Sequence, residues 1–132
     1  MPNHQPQTTA LWEDLKQLTK SVVEEMNRDA EISSRTGGLE SRLEDGDALV
    51  VTKVSAPRMH LVVRLRAEAF EVHTRLWVSE ADLTEWEFRE DLMIQFDDKG
   101  ASLRNPAGEV FTVDEAVFYI LRPFLHLGAV GC

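Results

Sequence analysis

Histidines and carboxylates are the groups in this chain best equipped for acid, base or metal chemistry, and their spacing gives them little to work with. His60 and His73 each fall in a run that alternates polar with apolar residues, so both are expected on one outward strand face. Two imidazoles without a carboxylate neighbour make a poor metal site. Glu85 with Glu87, and Glu90 with Asp91, could divide acid and base roles. Among 23 acidic residues such pairs arise by chance. The one cysteine, Cys132, gives no internal disulfide and no cysteine metal site. No nucleophile elbow, HExxH, Walker loop or dinucleotide fingerprint occurs. Gly37-Gly38 is followed by no Lys-Ser/Thr and reads as a turn, and Asp45-Gly46-Asp47 lacks the alternating carboxylates of a calcium loop. No catalytic residue, metal ligand or cofactor is therefore expected, and the chain reads as non-enzymatic.

The elements that would position these side chains centre on Ala48 to Val78. Met59, Leu61, Val63 and Leu65 alternate with His60, Val62, Arg64 and Arg66, and Phe70, Val72, Thr74, Leu76 and Val78 with Glu71, His73, Arg75 and Trp77. That is the period of two strands with one buried face. One run buries odd positions and the other even ones, so an antiparallel pairing must match numbers with an odd sum. A sum of 137 sets Leu65 beside Val72 and Arg66 against Glu71, with Glu68 and Ala69 at the turn. Because that turn lacks Gly or Asn, a four-residue loop of the same parity is the expected form.

Residues 1–7 read as a mobile tail and residues 8–132 as one domain. Thr8 or Thr9 caps a helix to about Glu31, whose Leu11, Leu15, Leu18, Val22 and Met26 form a stripe with Trp12, Val23 and Ala30. The same spacing would suit a coiled-coil partner. SSRTGG then reads as a loop, Leu39–Glu44 as a short strand and Ala48–Ser55 as a longer one. Ala56-Pro57-Arg58 breaks the sheet run and Ser79–Leu83 is a polar connection. Thr84–Phe96 keeps Trp86, Phe88, Leu92, Ile94 and Phe96 in phase, but Glu90 interrupts the set, which leaves one bent strand or two. Asp97–Gly100 and Asn105–Gly108 are turns between short closing strands. Thr112-Val113-Asp114-Glu115 is a capping box that opens a helix to about Leu127, apolar nearly all round, with Pro123 expected to kink or stop it. Residues 128–132 are expected to fray. The expected fold class is α+β, an antiparallel sheet of about five to seven strands flanked by an N-terminal amphipathic helix and a buried C-terminal helix.

A net charge of -9 and a pI near 4.8 disfavour nucleic acid and acidic membranes as partners. The amino terminus has no signal-peptide pattern and no run reaches a membrane span, so a soluble cytoplasmic protein is expected. The charge is uneven. Lys53, Arg58, Arg64, Arg66 and Arg75 face only Glu68 and Glu71 in their stretch, whereas Glu80 to Asp98 holds Arg89 among eight acids. Strands of opposite sign would pair across the sheet, or the asymmetry would build an interaction surface.

The outer sheet face is the most suggestive surface. It gathers Val62 and Trp77 with His60, Arg64, Arg66 and Arg75, and aromatic and arginine side chains are enriched at interface centres. Either a chain segment covers this face or it takes a protein partner, a second copy included. The order helix, antiparallel strands, helix, with small size and acidity, is similar to small secretion-type client chaperones. That likeness implies a protein client, although those proteins usually interrupt the sheet with a further helix that this pattern lacks. The expected function is a protein-interaction module, an adaptor or client-chaperone-like homodimer. The alternative is a small-molecule binding or catalytic domain with a pocket between sheet and C-terminal helix, lined by Trp86, Phe88 and Tyr119.

Overall fold

A computed structural model describes residues 5–44, 48–53, 58–79, 84–98 and 100–130, and within them all side chains except those of residues 5, 35, 58, 76–79, 84–86 and 125–130. The elements run α1 (Gln5–Arg28), α2 (Ala30–Thr36), β1 (Leu39–Glu44), β2 (Ala48–Lys53), β3 (Arg58–Arg66), β4 (Ala69–Ser79), β5 (Thr84–Asp97), β6 (Gly100–Arg104), β7 (Val110–Phe111) and α3 (Val113–Val130). The strands form one antiparallel sheet in chain order, so each lies beside its sequence neighbour. Among the described residues no helix interrupts it.

Alternation sets the inner face. Leu49 and Val51 of β2, Met59, Leu61 and Val63 of β3, Phe70 and Val72 of β4, Leu92 and Ile94 of β5 and Leu103 of β6 are buried in one core. The same core takes Leu11, Trp12, Leu15, Val23 and Met26 from α1 and Val117, Ile120, Leu121 and Phe124 from α3. Trp12 and Phe70 lie with ring centroids 5.5 Å apart where helix and sheet meet. The α1 stripe follows its spacing with three departures: Thr19 is fully buried at its centre, Leu18 and Val22 are only partly buried, and Ala30 lies exposed in the second helix.

Four local expectations change. The helix begins at Gln5, so it takes in residues read as tail; Pro6 is tolerated because first-turn amides have no intrahelical acceptor. It also stops earlier, at Arg28. Asp29 is an extended N-cap whose carboxylate accepts from the amides of Glu31 and Ile32, and the second helix it opens absorbs most of the expected loop before Gly37 ends it at φ 73°. The central hairpin has a register sum of 135: Leu65 faces Phe70, Val63 faces Val72 and Arg64 faces Glu71. Its turn is the two residues Ala67 and Glu68, made possible by Ala67 at φ 50°, a strained state for a residue with a Cβ. Parity is unchanged, so the faces are those expected. Lys53, in phase with Leu49 and Val51 on β2, points inward and is 1% exposed, with its amine pKa lowered by desolvation.

β5 is a single strand from Thr84 to Asp97. The capping box is in place, the Glu115 amide donating to Thr112 Oγ1 at 3.2 Å and the Thr112 amide to Glu115 Oε1 at 2.9 Å. α3 continues past Pro123 to Val130 rather than stopping. The expected turn at residues 45–47, the break at 56–57 and most of the connection at 79–83 lie outside the described residues, as do Gly131 and Cys132.

Candidate functional site

The outer face is built by register alone. Three cross-strand rows run from β1 to β5: Glu44, Ala48, Arg64, Glu71, Asp91; then Arg42, Val50, Val62, His73, Arg89; then Glu40, Thr52, His60, Arg75, Glu87. Arg66 stands opposite Ala69 at the hairpin end, and Trp77 lies opposite Arg58 and Glu85 at the other. Five of the six expected interaction residues, His60, Val62, Arg64, Arg66 and Arg75, therefore share one described surface. Trp77 holds its backbone position on the same face, and its side chain lies outside the description. The described helices pack on the inner face.

At the centre of this surface the chain buries apolar groups with no described helix above them. Val50 is 0% exposed and Ala48 is buried, yet neither belongs to the inner core. Their neighbours across the strands are Arg42, Val62 and Arg64, whose stems are long or branched enough to cover small residues. Val62, His60 and His73 are themselves half-buried. Desolvation, helped by the Arg42 and Arg75 charges and opposed by Glu44, pushes the His60 imidazole below its ordinary value near 6.5, so it is neutral at pH 7.

The charges pair both across strands and along them. Glu87 gathers three partners: Arg89 Nε at 3.3 Å, His73 Nε2 at 3.4 Å and Arg75 Nε at 3.8 Å. The His73 contact lacks hydrogen-bond geometry. Arg66 Nε reaches Glu71 at 3.5 Å, one step diagonally from Ala69. On the edge strand, Arg42 donates to Glu44 Oε1 at 3.0 Å from Nε. Each pair is exposed or half-exposed, so its worth is orientation more than stability. The result is a flat field with an apolar middle and fixed, alternating charge around it.

The alternative site resolves differently. Tyr119 donates its hydroxyl proton to Glu90 Oε2 at 2.9 Å, and Asn105 Nδ2 approaches the same hydroxyl at 3.4 Å while donating to Glu109 at 3.0 Å. The ring stacks on Phe111 at 4.7 Å, with the Arg122 guanidinium 5.4 Å from its centroid. Burial and the Glu90 carboxylate raise the phenol pKa, the wrong direction for a base or nucleophile at neutral pH. Tyr119 is thus a stitch between α3 and β5. Phe88 shares the inner face by register but is 44% exposed, and the Trp86 side chain lies outside the description. Sequence reasoning missed Asn105 and Glu90 as this stitch; the one signal was an acid at an inward position of β5.

Among the described residues, no three His, Cys, Asp or Glu side chains converge on a point that would hold a metal ion. No described helix is long and apolar enough to cross a membrane. No family model, curated protein or solved structure matches the chain.

Proposed function

We propose that this chain is a protein-interaction module, an adaptor or client-binding domain, that works through the outer face of its sheet. The observation that carries this reading is the half-buried His60, Val62 and His73 stripe, backed by Val50 and Ala48, on the face opposite both long helices. A neutral His60 beside Val62 keeps the middle of that stripe uncharged, while Arg64, Arg75, Glu71 and Glu87 around it set which partner charges are accepted. That is the arrangement of an apolar centre within a polar rim. A partner with a complementary apolar strip and alternating charges is the class of ligand it fits.

The test is a photo-crosslinking residue placed at Val62, with the same residue at exposed Asp114 of α3 as the control. Adducts are expected at position 62 and not at 114. The crosslinked protein, purified, is expected to bind wild type and to lose at least about tenfold in affinity for Val62→Lys, the scale of one central apolar contact. Equal adducts at both positions, or an unchanged affinity, would overturn the reading. The small-molecule alternative draws on one observation, the exposure of Phe88 on the helix-covered face, and Phe88→Ala would remove binding under that reading while leaving the Val62 crosslink intact.

A further inference from the structure

The two edges of the sheet are unequal. β7 has two residues and runs at once into α3, so it offers little edge. β1 has six, paired to β2 in unbroken register. An unbulged edge strand of this length offers backbone donors and acceptors to another strand unless something covers them.

The structure shows which groups those are. Asn27 of α1 donates from Nδ2 to the Leu39 carbonyl at 2.8 Å and accepts from the Leu39 amide at 2.9 Å. Both main-chain groups of Leu39 therefore point away from β2. In an antiparallel ladder this alternates by residue, so those of Ser41 and Leu43 point away as well. Among the described residues no side chain meets them as Asn27 meets Leu39. Leu43 is also 54% exposed, one of the most exposed large apolar side chains in the molecule. It lines a groove of about 360 Å³ between the edge and α1, with Leu49 as a further apolar wall and Lys16 and Lys20 along the helix.

We infer that a second copy of this chain pairs antiparallel with β1, Leu43 opposite Leu43, to join the two sheets across a twofold axis. Outward-pointing residues must face each other, so the residue numbers in each pair sum to an even value, and the sums open to Leu39, Ser41 and Leu43 run from 78 to 86. Sums of 78, 80 and 82 need the Leu39 groups that Asn27 already holds. A sum of 84 sets Arg42 against Arg42 and Glu40 against Glu44, like charge on like charge. A sum of 86 sets Leu43 against Leu43 and Arg42 against Glu44 twice. The Arg42–Glu44 pair within each strand, at 2.9 Å, then meets its own inverse, and two arginines alternate with two glutamates around the axis. Leu43 of each copy covers the other, next to the groove. The pairing uses only the edge members of the outer-face rows, Arg42 and Glu44, and the centre of that face around Val62 stays open to a partner in both copies.

Light scattering of the full chain over a range of concentrations tests it. The wild type is expected at twice the chain mass. Arg42→Glu places two acids on each edge, and Glu44→Arg places two arginines, so each variant alone is expected to weaken association at least tenfold. Mixed in equal amounts, the two are expected to restore the dimer, because every acid then faces an arginine. That rescue also shows that both variants are folded. A wild type that stays monomeric throughout overturns the proposal. So does a dimer that neither variant weakens and Val62→Lys disrupts, which would instead put the second copy on the outer face. Loss of partner binding in Val62→Lys with the dimer intact leaves the edge pairing standing.

Discussion

His60 is the one outer-face residue whose protonation state the fold visibly controls. It sits half-buried beside Arg75 in its row, with Arg42, Glu44 and His73 near enough to act on its charge, and its pKa is depressed. The unfolded chain takes up a proton near pH 6.5 while the folded chain does not until lower pH. The unfolded state then binds more protons, so stability falls as pH drops through that window and is fully present above it. Thermal unfolding of wild type from about pH 7.5 to about 5.5 is expected to show this decline, and His60→Gln, which cannot charge, a shallower one. Parallel curves for the two proteins would mean that the native site accepts the proton freely. Trp77 gives the opposite lesson about single residues: its alternation placed it on this face, but alternation alone says nothing about what its ring touches.

At the scale of elements, periodicity made the strands and their faces legible, and it was least informative at turns and where a polar residue occupies an inward position. Met59 to Leu65 and Phe70 to Thr74 bury the set their spacing demands. The hairpin register was off by one residue pair because Ala67 adopts a left-handed conformation that propensity assigns to Gly or Asn. Asp29 was not recognisable as a cap inside a long helical pattern, since an acid there reads equally well as an exposed helix residue. Glu90 looked like a break in β5, yet it keeps the inward phase and is met by Tyr119 from α3. That bond crosses 29 residues of sequence and no local pattern could reveal it. Tyr119→Phe keeps the stack on Phe111 and removes only the hydroxyl, so it is expected to destabilise the protein by about 1–2 kcal/mol in denaturant unfolding. Glu90→Leu in the same chain should recover most of that loss, because the inward position is then apolar and nothing is left unsatisfied. A Tyr119→Phe variant as stable as wild type would mean that solvent already satisfies Glu90.

Across the whole molecule, every strand pairs with its sequence neighbour, while α1 and α3, from the two ends of the chain, close the inner face together. The sheet can form from local hairpins, but its inner face is dry only when both helices have docked. Amides shared between β3, β4 and β5 should therefore exchange hydrogen only through global unfolding. The outward amides of Ser41 and Leu43 have no such protection within one copy. If β1 is the site of self-pairing, the Leu43 amide should exchange quickly in dilute protein and more slowly as concentration rises, whereas the Leu39 amide, held by Asn27, should not respond. Hydrogen exchange followed by NMR at two concentrations separates the cases residue by residue. Slowing at Leu43 with none at Leu39 places the second copy on the edge, and the absence of slowing at Leu43 rules the edge out.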